Sequence, residues 1–389
     1  MTDLPSPVPA APRPKRGRRL PCAPVAHAEV KGFKDIRLTV SAAETSLALA
    51  ADRLSLPRSG WTSGRFDILA LSGGAAGGAY GAGALTGWTE TGTRPEFALV
   101  TGVSTGALIA PLAFLGPSWD EKLKDAYTGG HAKQLLSPRR MAMFSGGLLK
   151  AEALHSLIEP FVDAELIAAV AAQHARGRRL LVATTDLDHQ ACCIWDMGAI
   201  ASHGGEAALK LFREVLVASA SLPGIFSPHR ITTEYEGCLY EEMHVDGGVS
   251  APLFIMPEGL LRWNKLGKRL KGGRVHVIVN TMLDPQPRAV APNLPAVMMR
   301  SFEAMLRFSY RQSLITATTL CAAQGIPLKT ASIPNEAQTS NILNFETAAM
   351  EALFNEGRQR AVSGQLWSTE VPTTGLERLA EALHLPHFR

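Results

Sequence analysis

A serine flanked by glycines sits at the end of an apolar run, Gly102-Val103-Ser104-Thr105-Gly106 within "VTGVSTGAL" at 100–108. At a strand-to-helix turn this G-x-S-x-G spacing holds a serine hydroxyl clear of the backbone. The helix amino end beside it favours developing negative charge, which is what a nucleophile attacking a carbonyl requires. Such a serine also needs hydrogen-bond donors for an oxyanion. The stretch "LALSGGAAGGAYGAG" at 69–83 offers them, because small residues at Gly73, Gly74 and Ala75 let successive N–H groups converge. A base completes the chemistry, and the histidines are poorly placed for it. His276 lies within an apolar strand, His189 in a turn, and His384 and His387 in the final residues. Asp246 instead precedes Gly247 and Gly248 in "HVDGGVSAPL" at 244–253, although an aspartate before glycines is also an ordinary turn former.

The elements around these residues alternate. "DIRLTV" (35–40), "RFDILALSGG" (65–74) and "PEFALVTGVS" (95–104) read as strands. "RRLLVATTDL" (178–187) and "ACCIWDMGAIA" (191–201) read as two more, joined by a tight turn, and "RVHVIVNTML" (274–283) and "PLKTASIP" (327–334) follow. Helical patterns lie near 41–55, at 79–92, 105–116, 119–136, 150–175, 205–223 and 296–324. Strands alternating with helices predict an α/β class with a sheet covered on both faces. The segment 97–116 carries no charge, yet its three glycines and Pro111 mark two buried elements joined by a turn rather than a membrane span. A dinucleotide loop is the rival reading of the glycine cluster, but no acidic residue closes a second strand about twenty residues on.

Composition narrows the classes. A net charge of +4 over 389 residues is too mild to imply nucleic-acid binding. Five cysteines with no C-x-x-C spacing argue against a zinc site or disulfide framework and read as reduced or buried thiols. The first thirty residues are rich in Pro, Ala and Arg and lack a long apolar stretch, so they show no recognisable export signal and read as a disordered basic tail with a weak pull toward anionic lipid. The proline-rich 283–295 reads as a connection. Apolar segments at 141–149 and 297–310 could line an acyl channel or meet an interface, but such a stripe is more often plain core, and neither is taken as a site.

Taken together, "SGGAAGGAYGAG", "GVSTG" and "DGG", with "ASASLPGIFSPHRI" (218–231) between the last two, resemble the patatin-like phospholipases over about half the chain, 66–253. The resemblance implies a three-layer fold with a central, mainly parallel sheet and helices on both faces. It implies a Ser104–Asp246 dyad without a histidine, an oxyanion hole from Gly73, Gly74 and Ala75, an elbow framed by Gly102 and Gly106, and a base motif completed by Gly247 and Gly248. No metal or organic cofactor is implied. The implied activity is hydrolysis of a glycerolipid or lysophospholipid ester, with transient association with a membrane surface. An acyltransferase or thioesterase using the same dyad, or a weakly active lipid-binding protein, are the alternatives. The organisation expected is a tail over 1–30, an extension over 31–60, the catalytic domain over 61–285 and a C-terminal portion over 286–389 that completes or caps it. One departure stands out: Ala75 occupies the position of the family's third loop glycine, and alanine adopts positive φ less cheaply. Cytoplasmic, peripheral-membrane and envelope locations all stay open.

Overall fold

A computed structural model describes residues 20–41, 66–133, 135, 152–255, 272–284, 287–337 and 343–368. The strands are β1 (Glu29–Val30), β2 (Arg37–Ser41), β3 (Ile68–Leu71), β4 (Leu99–Val103), β5 (Arg179–Asp186), β6 (Ala191–Asp196), β7 (His229–Tyr235), β8 (Cys238–Asp246), β9 (Val275–Val279) and β10 (Leu328–Ser332). The helices are α1 (Gly78–Glu90), α2 (Thr105–Leu115), α3 (Asp120–Thr128), α4 (Glu152–Ile158), α5 (Ala164–Ala175), α6 (Met197–Ser202), α7 (Gly205–Ala220), α8 (Leu294–Ala323) and α9 (Thr347–Val362).

All ten strands belong to one mixed sheet, in the order β1-β7-β8-β5-β4-β3-β9-β10, with β6 and then β2 reached from β5. The five strands β5-β4-β3-β9-β10 run parallel, and the remaining pairings are antiparallel. The parallel strands are apolar at nearly every position because both faces are covered. In β3, Leu69 and Leu71 point into a core shared with α1, α2, α5 and α7. Ile68 and Ala70 point the other way, into a core closed by Tyr310, Leu314 and Ala317 of α8. The chain is therefore an α/β protein of three layers. The apolar run at 97–116 is a strand, a sharp turn and a helix, and among the described residues no helix is long and apolar enough to cross a membrane.

Three departures from the sequence reading have local causes. Residues 191–201 are not one strand: Asp196 accepts a hydrogen bond from the Ala199 amide and caps α6, which starts at Met197. The segment before Asp246 is the second arm of a hairpin, whose turn places both Glu236 and Gly237 at positive φ, the geometry that matches strand twist. Residues 20–30, expected within the tail, are fastened to the sheet edge. Leu20 donates to the Glu241 carboxylate, the Glu241 amide donates to the Pro21 carbonyl, and β1 pairs with β7. The rest of the tail (1–19), nearly all of the helical stretch near 41–55, the segment 141–149, and His384 and His387 lie outside the described residues.

The C-terminal portion is built into the same layers. β10 extends the sheet beside β9, and α9 lies against α1 at backbone contact. A Cβ on Gly83 would fall 1.9 Å from the Phe354 carbonyl oxygen, and one on Gly357 2.2 Å from that of Tyr80, so the small-residue face of α1 exists to receive this helix.

Candidate active site

The site is assembled by β5, which is long enough to pair with two strands end to end on one edge. β4 runs parallel to it and stops with Val103 opposite Ala183. β8 runs antiparallel along the same edge and stops with Asp246 opposite Thr184, the next residue. The two strands thus meet head on, and the residues at their tips are Ser104 and Asp246. The junction is fastened from α7: the Ser219 hydroxyl donates to the Ala183 carbonyl at 2.7 Å and accepts from the Ser104 amide at 3.0 Å. The Asp246 amide donates to the Ser221 carbonyl at 3.0 Å, and the Thr185 hydroxyl donates to the Asp246 carbonyl at 3.0 Å.

Ser104 holds φ 55° and ψ −125°, a strained conformation for a residue with a side chain, and its hydroxyl hydrogen-bonds the Asp246 carboxylate. The glycines on either side permit this turn by close approach. A Cβ on Gly102 would lie 2.5 Å from the Gly106 carbonyl oxygen, and one on Gly106 2.4 Å from that of Leu71. Gly247 plays the same part for the base motif, where a Cβ would lie 2.3 Å from the Ala183 carbonyl oxygen. The Gly248 amide donates to Asp246 Oδ1 at 2.7 Å.

Asp246 is 2% exposed. Burial pushes its carboxyl up to about 6, against the opposing hydrogen bonds from Ser104 and Gly248. A carboxylate in that range is ionised at neutral pH and is a stronger base than an exposed aspartate.

The glycine-rich loop runs beside Ser104, with a Cβ on Gly73 falling 3.1 Å from Ser104 Cβ. Gly74, at φ 154°, is pressed against Asn280, whose carbonyl oxygen would lie 1.9 Å from any Cβ there. Asn280 holds the loop further through its side-chain amide, which donates to the Ser72 carbonyl at 2.8 Å. Ala75 takes φ 50°, so this alanine does adopt the conformation that glycine would hold at less cost. The three amides differ. That of Gly73 makes a long 3.4 Å contact to the Pro252 carbonyl, whereas those of Gly74 and Ala75 have no acceptor among the described residues.

The serine, the carboxylate and the loop all line one cleft of about 1340 Å³, including its open mouth. Its walls are mostly apolar, with Leu108, Leu157, Phe226, Leu306 and Phe345 among them. A second apolar pocket of about 580 Å³ shares Ala75, Thr105, Leu108, Leu157 and Phe345 with it and continues toward Leu216 and Met350. Among the described residues no histidine lines the cleft. His276 packs between the rings of Trp88 and Trp367, and His189 bonds Asp186 and the Ala23 carbonyl.

Sequence reasoning missed the contribution of α8. Tyr310 is buried, hydrogen-bonded to Ser72, and places its hydroxyl 3.0 Å from where a Gly73 Cβ would be. Leu306 approaches Gly248, and Arg300, Glu303 and Arg307 line the same cleft. Nothing in the glycine motifs announces a helix some sixty residues past the aspartate; in the sequence only its Met- and Phe-bearing pattern stands out.

One group of potential metal ligands exists among the described residues, Asp186, His189 and Glu242. Its donor atoms are already engaged: His189 at both ring nitrogens, Asp186 by His189 and the Asp188 amide, and Glu242 by Arg37 and His244. Burial would raise the Glu242 carboxyl, but the hydrogen bonds from Arg37 and His244 hold it down at about 2. The group is a charge network that ties β2, β5 and β8 together behind the site.

Residues 69–257 match the family described as "Patatin-like phospholipase". No curated protein matches the chain. Among solved structures, the chain is similar to VipD from Legionella pneumophila at 12% identity, covering 78% of this chain and 67% of that one, with a TM-score of 0.40. It is also similar to human GIVD cytosolic phospholipase A2 in complex with methyl gamma-linolenyl fluorophosphonate, at 11% identity, covering 82% of this chain and 59% of that one, with a TM-score of 0.32.

The buried carboxylate makes a stability prediction. Between about pH 4 and 6 the folded protein holds a proton on Asp246 that the unfolded chain has lost, so this group's contribution to stability falls as pH rises through that window. Asp246→Asn removes the buried charge. The variant is expected to be more stable than wild type at pH 8 by up to about 3 kcal/mol, with the advantage shrinking toward pH 4, as measured by urea denaturation at both values.

Proposed function

We propose, for a chain that belongs across residues 69–257 to the patatin-like phospholipase family, that it is a serine lipid acyl hydrolase with Ser104 as nucleophile and Asp246 as base. The observation that carries this reading is the hydrogen bond between a strained serine hydroxyl and a buried carboxylate raised to about 6, on the floor of an apolar cleft. As Ser104 Oγ attacks the ester carbonyl, its proton passes to Asp246, and the carbonyl oxygen becomes an oxyanion facing the Gly74 and Ala75 amides. Loss of one such donor typically costs about 3 kcal/mol of transition-state stabilisation. Gly73 contributes to that hole to the extent that its amide leaves Pro252. The tetrahedral centre collapses, the ester C–O bond breaks, and the alcohol leaves with the proton from Asp246. Water then attacks the acyl-serine, giving its proton to Asp246, which returns it to Ser104 as the fatty acid departs. The apolar side pocket gives the acyl chain somewhere to lie without contacting water.

The substrate would be met at a lipid surface. Leu294, Val297, Met298, Met305 and Phe308 are exposed large apolar side chains on one stripe of α8, Met305 at 68% and Phe308 at 73%. Other residues of the same helix line the catalytic cleft, and the exposed stripe is the face by which that helix would meet a lipid surface. Phe308→Glu is expected to weaken sedimentation with phosphatidylglycerol vesicles several-fold while leaving turnover of a short, soluble ester intact. Equal vesicle binding by wild type and variant would refute the surface assignment.

The hydrolase reading is tested with p-nitrophenyl butyrate and a lysophospholipid. Ser104→Ala and Asp246→Ala are each expected to lower kcat by three orders of magnitude or more. In wild type, kcat/KM should rise with pH through a midpoint near 6 toward a plateau, because the base must be ionised. Wild-type turnover no greater than that of Ser104→Ala would sink the proposal.

A further inference from the structure

The Gly74 amide belongs to a peptide unit whose other end is the Gly73 carbonyl. A trans peptide is planar, so its C=O and N–H point in opposite directions, and whatever holds the carbonyl aims the amide. Here the carbonyl is held by Ser72, whose hydroxyl donates to it at 2.7 Å. The Ser72 backbone is itself fixed. Its amide donates to the Ile278 carbonyl at 3.0 Å, and its carbonyl accepts from the Asn280 side chain at 2.8 Å. The two glycines that follow have no side chains to fix how their shared peptide is turned.

The direction of the Ser72 hydroxyl therefore sets the direction of the Gly74 amide. A hydroxyl has one proton to give and two lone pairs that accept. The Asn280 amide donates to Ser72 Oγ at 2.9 Å and takes one lone pair. Tyr310, reaching in from α8, bonds the same hydroxyl. Because the Ser72 proton is committed to Gly73, the phenol is the donor in that bond and takes the second lone pair. Burial, and after it the Asp246 charge, push the Tyr310 pKa up, so the phenol keeps the proton it donates. The Ser72 proton is left one direction, toward Gly73. This chain of bonds runs beside the nucleophile: the Tyr310 hydroxyl stands 3.0 Å, and Ser104 Oγ 3.8 Å, from where a Gly73 Cβ would be.

We propose that Tyr310 is a positioning residue for the oxyanion hole, its hydroxyl holding that of Ser72 on the Gly73 carbonyl and so aiming the Gly74 amide at the developing oxyanion. This rests on the hydrolase reading above and adds a residue to the same site. Tyr310 lies outside residues 69–257, so the C-terminal portion of the chain completes the hole as well as the fold.

The test is a double-mutant cycle on p-nitrophenyl butyrate with Tyr310→Phe, Ser72→Ala and the pair, each checked for folding by near-ultraviolet circular dichroism. Tyr310→Phe keeps the ring and removes only the hydroxyl. It is expected to lower kcat about 10-fold, part of the roughly 100–1000-fold that outright loss of an oxyanion donor costs. KM should stay as in wild type, because the hole favours the transition state over the bound ester. Ser72→Ala should lose at least as much, and the double variant no more than Ser72→Ala alone, since the phenol acts only through that hydroxyl. Losses that multiply in the double variant, a loss that falls on KM, or wild-type kcat in Tyr310→Phe would each overturn the proposal. Wild-type turnover above the Ser104→Ala baseline separates these outcomes from failure of the hydrolase reading itself.

Discussion

Everything at the site depends on the length of β5. Its eight residues outrun β4, and the remaining edge is taken by β8 arriving from the opposite direction. Two strands that pair with adjacent residues of a third cannot avoid bringing their tips together. Ser104 and Asp246, more than 140 positions apart in sequence, are neighbours because Ala183 and Thr184 are. Ser219 then fastens the joint by bonding the Ala183 carbonyl and the Ser104 amide at once.

The frame carries a load at this junction. Ser104 and Ala75 both hold positive φ, each at a cost of roughly 1–2 kcal/mol, and Asp246 is a buried charge with no cationic partner among the described residues. Such features persist only where the surroundings over-determine them. Here the surroundings are a sheet buried on both faces, Gly247 packed against β5, and Asn280 closing on the glycine-rich loop from the end of β9. Ala75 shows how firm that frame is: it holds a backbone shape that its own side chain disfavours.

Much of this was legible in the sequence because each motif is local. A serine elbow, a glycine run and an Asp-Gly-Gly turn announce themselves within a dozen residues, and apolar runs broken by glycine gave the parallel strands. What stayed hidden depends on long-range contact. Leu306, Arg307 and Tyr310 sit on a helix whose residue pattern reads first as plain core; only the fold reveals that one side faces the cleft and another faces solvent. The β7–β8 hairpin did carry a signal, alternating apolar and polar residues around Glu236-Gly237. It is partly masked by the charged residues Glu241 and Glu242, the second of which is buried against Arg37. The helix α6 was lost for the opposite reason, since an apolar strand followed at once by small apolar residues gives no break other than the cap at Asp196.

The central claim is that Ser104 is activated by a buried carboxylate, and covalent labelling tests it most directly. The protein would be treated with a fluorophosphonate between about pH 4.5 and pH 8 and the adduct mapped by mass spectrometry of its peptides. The account predicts one adduct, on Ser104, forming at a rate that climbs as Asp246 loses its proton near pH 6 and that collapses in Asp246→Asn. An adduct on a different serine, or labelling of Ser104 at the same rate in Asp246→Asn, would contradict it.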